Sequence, residues 1–285
     1  MEFTLVSDIS NWLGDLDKLQ RTGTCKSPKF LKPYHLATLA HVLRHRQLAD
    51  ISLGSKFDSY ADTMQLWDAL GIPSPYGPKV RLGGRYHPIE LLNDERGIEA
   101  IAGKIGRLLA SVCDTPETVD ALQTMLRELI GNCYAHAAVP DGVYGAICAQ
   151  IWGGGMKGQI ALVDSGIGIR TSLKQNLSLW TRLQTENSCA MATEYGITSK
   201  PGNGHSGYGL AVARMLLEQN GGMLYVHSGD EVFVTRNGLI QTFETKVPWS
   251  GTLIVIEWDL CGRMDIGDVY RQLPLPEGID DDDFF

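Results

Sequence analysis

Glu128-Leu-Ile-Gly-Asn132-Cys-Tyr-Ala-His136 is the stretch from which the fold of this chain can be read. Glu128, Asn132 and His136 stand at i, i+4 and i+8, so on a helix they share one face. Leu122, Met125, Leu126, Leu129 and Cys133 occupy much of the remaining circumference and can pack on a sheet. A polar stripe of this kind, taken alone, is an ordinary solvated face. Two glycine-rich blocks downstream shift the weighing. Asp164-Ser-Gly166-Ile-Gly168 ends an apolar strand pattern, and Gly204-His-Ser-Gly207-Tyr-Gly209-Leu210 precedes a helical one. A carboxylate at a strand end can accept a hydrogen bond from an exocyclic amine. Gly166 and Gly168, without Cβ atoms, let the backbone bend tightly beneath a base. Gly204, Gly207 and Gly209 lead into a helix whose first amides can hold phosphate oxygens.

In order, spacing and flanking apolar patterns, the three blocks resemble the GHKL ATPase superfamily of DNA gyrase, Hsp90, histidine kinases and MutL repair proteins. The likeness covers residues 95–260. It implies an α+β fold, a two-layer sandwich with helices on one face of a mostly antiparallel sheet. It further implies binding of ATP with Mg²⁺, the Asn132 side-chain oxygen ligating the metal against the triphosphate, as a hard cation prefers. Glu128, one turn earlier, is placed to orient or deprotonate the attacking water. Asp164 reads the adenine amino group, selecting ATP over GTP, with the Thr252 hydroxyl supporting it through water. Gly166, Gly168, Gly204, Gly207, Gly209 and Leu210 complete the nucleotide contacts. His136 matches a position often basic in histidine kinases, or else caps the helix end, where imidazolium is favoured by the dipole. No Gly-Lys-Ser/Thr follows the third block, so this is not a Walker-type loop. Lys200 either approaches the phosphates or is a solvated lysine of the lid. That lid is the polar segment 170–203, in which Leu173, Leu177, Trp180 and Leu183 suggest one amphipathic helix.

Around this core the chain divides into further parts. Residues 1–80 read as a small α/β layer: a strand Phe3–Val6, a helix opened by Pro33, a strand Ala49–Leu53, and a helix Tyr60–Leu70 capped by Gly71. This pattern resembles STAS domains, though Ser55 and Ser59 match the usual phosphoacceptor position only roughly. Residues 81–94, in a stretch dense in proline and glycine, read as linker. The ATP-binding domain takes 95–262. Its helices are expected over Glu95–Val112, from Pro116 to Ala137, and over Gly207–Gln219. Its strands are expected at Ala146–Trp152, Gln159–Val163, Met223–His227, Glu231–Thr235, Leu239–Thr245 and Leu253–Trp258. Residues 263–285 form an acidic tail ending Asp-Asp-Asp-Asp-Phe-Phe285. That tail is either a solubilising segment or a linear motif whose terminal aromatics and carboxylate enter a basic pocket.

Composition narrows the function classes. A net charge of −8 and no Lys/Arg cluster argue against direct nucleic-acid binding. The six cysteines are scattered without a Cys-x-x-Cys pair, as expected for reduced thiols in a cytoplasmic protein. No 18-residue apolar stretch suggests a membrane span. Histidine-kinase, gyrase, MutL and Hsp90 readings each want a phosphoacceptor hairpin or a following transducer, which this sequence does not offer. What remains is a stand-alone regulatory ATPase of bacterial type. It would bind ATP and hydrolyse it slowly, act as an anti-sigma-type protein serine kinase on a STAS-like partner, or serve as a non-catalytic ATP-sensing subunit. A protein partner would be met through the N-terminal domain or the tail, and a homodimer is compatible with either.

Overall fold

Ile9, Trp12, Leu13 and Leu16 recur at helical spacing, and the chain obeys them: Val6 opens a 17-residue helix instead of closing a strand. The computed structural model describes residues 4–23, 28, 30–45, 55–77, 85–112, 115–136, 142–200 and 207–274. In chain order these form α1 (Val6–Thr22), α2 (Pro33–His45), α3 (Ser55–Thr63), α4 (Leu66–Leu70), β1 (Tyr86–Leu92), α5 (Ile98–Ala110) and α6 (Pro116–His136). There follow β2 (Gly145–Trp152), β3 (Lys157–Asp164), α7 (Ile169–Leu173), α8 (Trp180–Leu183), α9 (Ser188–Met191), α10 (Gly209–Asn220), β4 (Met223–Arg236), β5 (Leu239–Asp259) and α11 (Ile266–Gln272). The strands make one antiparallel sheet in the order β1-β2-β3-β5-β4.

Away from the exposed tip of the β4–β5 hairpin the sheet is buried on both faces, and the period-two alternation of strands divides its side chains between them. Ile147, Ile151, Ile160, Leu162, Val226, Ile254 and Trp258 point to the inner face. There they join Ile105 of α5, Met125 and Leu129 of α6, Leu216 of α10 and Val269 of α11. This is the expected α+β sandwich. Ala146, Cys148, Ala161, Val163, Tyr225, Leu253 and Val255 point the other way, against Trp12, Leu36, Leu39 and Trp67 of α1, α2 and α4. The N-terminal helices therefore add a layer on the outer face and share its core, and α1 begins where the first strand expected of a STAS-like layer, Phe3–Val6, would end. The second strand of that expectation, Ala49–Leu53, lies outside the described residues. A buried polar knot ties the two parts together. The Thr4 N–H and hydroxyl both donate to Glu257, the former at 2.6 Å, and Gln159 Nε2 donates to the same carboxylate at 2.8 Å. Lys32 Nζ lies 3.7 Å from it.

Four expected boundaries move for identifiable reasons. The presumed linker contains β1, an edge strand in which Pro88 falls at the register shift between His87 and Glu90, where no ladder donor is needed. The Tyr60–Leu70 helix breaks at Gln65, whose φ is +62°, before Gly71 caps α4 at φ +71°. Four expected strands fuse into the long β4–β5 hairpin, because the interruptions at Ser228–Glu231 are register shifts rather than turns. The lid holds several short helices in place of one amphipathic helix. Leu177 and Trp180 face solvent, while Leu173, Leu179, Leu183 and Met191 make a small core of their own. Among the described cysteines, Cys133, Cys148 and Cys189 are buried free thiols and Cys261 is exposed. No described helix is long and apolar enough to cross a membrane.

Candidate functional site

The end of β3 lies beside β5, with Val163 opposite Leu253, which brings Asp164 alongside Thr252. Asp164 Oδ1 accepts the Gly166 N–H at 2.7 Å, and both the hydroxyl and the N–H of Thr252 donate to the same carboxylate. Burial nevertheless outweighs these bonds and pushes the Asp164 carboxyl up to about 6. Gly251 makes the approach of the strands possible: its φ is +78°, and a Cβ there would stand 2.2 Å from the Asp164 carbonyl oxygen. Ser228, on the bulge of β4, completes this corner. Its hydroxyl donates to the Gly251 carbonyl at 2.7 Å and accepts the Ile169 N–H at 2.9 Å, holding the chain as it leaves Gly168.

The other end of the site lies between α6 and α10. Pro116 at the first helical position and the apolar spacing that follows keep α6 unbroken to His136, so Glu128 and Asn132 sit one turn apart. They face the first residue of α10 closely. A Cβ on Gly209 would meet Glu128 Cβ at 3.0 Å and Asn132 Nδ2 at 3.2 Å. Gly207 has φ +69°, and a side chain there would run into the Ile197 carbonyl oxygen at 2.7 Å. Glycine at both positions thus lets the lid, the start of α10 and the polar face of α6 converge.

Glu128, Asn132, Asp164, Gly168, Gly207, Gly209, Leu210 and Thr252 line one cavity of about 190 Å³, whose far wall is the lid segment Ile197–Ser199. Gly166 stays outside the lining and acts through its bond to Asp164. Gly204 and the His136 side chain lie outside the described residues, as does the expected 263–285 tail from residue 275 onward; its first part instead holds α11, with Met264 and Val269 in the inner core. Lys200 Nζ donates to the Ala135 carbonyl at 2.9 Å, near the end of α6. Sequence reading passed over Ser228, Glu231 and Arg170, whose partners are distant in the chain. It also passed over the stacked pair Tyr195 and Tyr208, with ring centroids 4.7 Å apart, of which Tyr208 lines the cavity.

Among the described residues no three His, Cys, Asp or Glu side chains cluster as a metal cage. The Asn132 side chain, close to the start of α10, carries an amide oxygen of the kind that suits an ion taking most of its ligands from phosphate and water. Residues 117–259, just over half of the chain, match the family model described as histidine kinase-, DNA gyrase B-, and HSP90-like ATPase. No curated protein matches the chain.

Proposed function

The chain belongs to the histidine kinase-, DNA gyrase B- and HSP90-like ATPases and binds ATP as that family does; we propose that it does so with Mg²⁺ and hydrolyses the nucleotide slowly, as a regulatory switch. The observation that supports this reading is the convergence of Asp164, Asn132, Glu128 and the start of α10 on one cavity. Asp164 accepts a hydrogen bond from the adenine amino group, for which a guanine carbonyl is no substitute. The amides at the start of α10, freed of side chains by Gly207 and Gly209, bind the phosphates. Asn132 supplies an oxygen to Mg²⁺, whose chemistry is to neutralise charge on the triphosphate. Glu128 stays exposed beside Gly209, where it can orient a water and take its proton.

Turnover with and without Glu128 tests the catalytic part. Glu128→Ala should lower the hydrolysis rate by about two to four orders of magnitude while MgATP still binds. Equal turnover in both proteins would remove Glu128 from catalysis. Radiolabel from γ-phosphate appearing on a partner protein instead of as free phosphate would replace the hydrolase by a serine kinase. ATP bound with neither outcome would make the chain a nucleotide sensor.

A further inference from the structure

Glu231 is a carboxylate in a place that would ordinarily take an aliphatic side chain. It sits on β4 just past the bulge, 5% exposed, beside the buried pair Val232 and Phe233. A charge withdrawn from water in this way is costly unless its oxygens are fully bonded. Here they are, and each donor comes from the lid. Arg170 donates from Nε at 2.7 Å and from Nη2 at 2.6 Å, a bidentate fork. Ser188 donates its N–H at 2.8 Å and also its hydroxyl. Burial opposes the charge, but the bonds from Arg170 and Ser188 prevail and hold the carboxyl below its ordinary range.

The guanidinium spreads the same anchor across the lid. Arg170 Nη2 donates to the Glu186 carbonyl at 2.9 Å, and Nη1 to that of Leu183. Two more bonds secure α9 to the strand: Cys189 Sγ to the Glu231 carbonyl at 3.3 Å, and Asn187 Nδ2 to that of Val232 at 3.3 Å. Arg170 lies two residues after Gly168, where the chain turns out of the cavity floor. One buried carboxylate on the sheet therefore fixes where α7 leaves the floor and where the segment after α8 returns. The lid residues Ala192, Ile197 and Ser199 that wall the cavity follow directly.

We propose that the Glu231–Arg170 pair, with Ser188, is a positioning device for the nucleotide site: it sets the lid against the triphosphate end of the cavity and leaves the adenine end to Asp164, Thr252 and Ser228. The inference rests on the ATP-binding reading given above. Its geometry separates the two ends, because Ser228 serves the floor and Glu231 the lid from opposite sides of the same bulge. A hydrophobic contact could hold α9 on β4 equally well, but it would not determine the direction in which Arg170 carries the chain.

The test compares MgATP with adenosine as ligands of the full chain, by calorimetry, in wild type, Glu231→Gln and Arg170→Lys. Glu231→Gln removes the charge with little change of shape, and Arg170→Lys keeps the charge while losing the fork. Each variant should bind MgATP about tenfold more weakly or worse, the equilibrium equivalent of one lost charge-assisted hydrogen bond. Adenosine should bind as in wild type. Ser188→Ala, a milder change, should shift MgATP in the same direction and keeps the question answerable if a charge variant misfolds. Unchanged MgATP affinity in folded variants would overturn the proposal. So would equal losses for both ligands, which mean a general loosening of the fold. Failure of wild type to bind either ligand would instead sink the ATP-binding reading itself.

Discussion

On the inner face of the sheet, helices and strands stop short of closing: about 190 Å³ is left between α6, α10 and the end of β3. On the outer face, α1, α2 and α4 close over the strands. A cavity beside His41 and Ser165 measures about 10 Å³, at the limit of a single water. The carboxylates follow the same division. Glu257, on the outer face, gathers Thr4, Gln159 and Lys32 around it. Asp164, on the cavity side, keeps its bonds to Gly166 and Thr252 yet is pushed up to about 6 by burial. On the outer face the carboxylate is held by several partners at once. The other face retains a carboxylate that the fold alone would prefer neutral, the pattern expected where a group is kept for a ligand.

Removing the outer layer should give the largest effect. A chain beginning at residue 85 would expose Tyr225, Val255, Leu253 and Cys148, now covered by the N-terminal helices. It should aggregate or unfold without a cooperative transition, seen by circular dichroism on heating. A soluble truncated protein that binds MgATP would show that the two layers are separate modules.

Breaking the polar knot comes next. Glu257→Ala leaves the Lys32 ammonium without its buried partner, a loss of about 3–5 kcal/mol in denaturant unfolding. MgATP affinity of the folded fraction should not change, because Glu257 lies on the opposite face from the cavity. A parallel fall in affinity would mean that the faces are coupled.

Acid should separate the faces more gently. Burial, first among the causes, lowers His35 to about 3 and His227 to about 4. Their contribution to stability is complete above the unfolded value near 6.5 and is lost as pH falls towards 4, about 2 kcal/mol per imidazole by pH 5. Asp164 has the opposite sign: its raised value favours the protonated fold, a contribution present below about 3.9 and lost as pH rises through about 6. Melting temperature should therefore fall between pH 7 and pH 5 through the histidines. Over the same range MgATP affinity should weaken as Asp164 takes up its proton. An affinity that is flat through pH 6 would dissociate Asp164 from the ligand.

The inner face was legible because its residues answer to local chemistry. Pro116, the apolar stripe of α6 and the glycines before α10 each state their purpose within a few positions. Gly207 and Gly209 are required where a side chain would strike Ile197 or Glu128. The outer face was legible only in hindsight, from the near-continuous apolar runs Ala146–Ala149 and Leu253–Ile256, which leave no polar side for solvent. What covers those runs is settled by contacts that no local window contains: Thr4 meets Glu257 across 253 positions, and Arg170 meets Glu231 across 61. The bulge at Ser228–Glu231 escaped for a related reason. Gly229 reads as a turn, and only the pairing of both flanks with β5 reveals one strand.

The smallest expected effect on stability belongs to Asp164→Asn, which removes a disfavoured charge and should leave the unfolding free energy within about 0.5 kcal/mol or slightly raised. The same variant tests the nucleotide site most directly. Calorimetric titration of MgATP into wild type and Asp164→Asn should show a loss of affinity of about ten- to a hundredfold, the worth of one hydrogen bond to a charged acceptor. Unchanged MgATP affinity in the folded Asp164→Asn protein would contradict the assignment of this cavity to the adenine base.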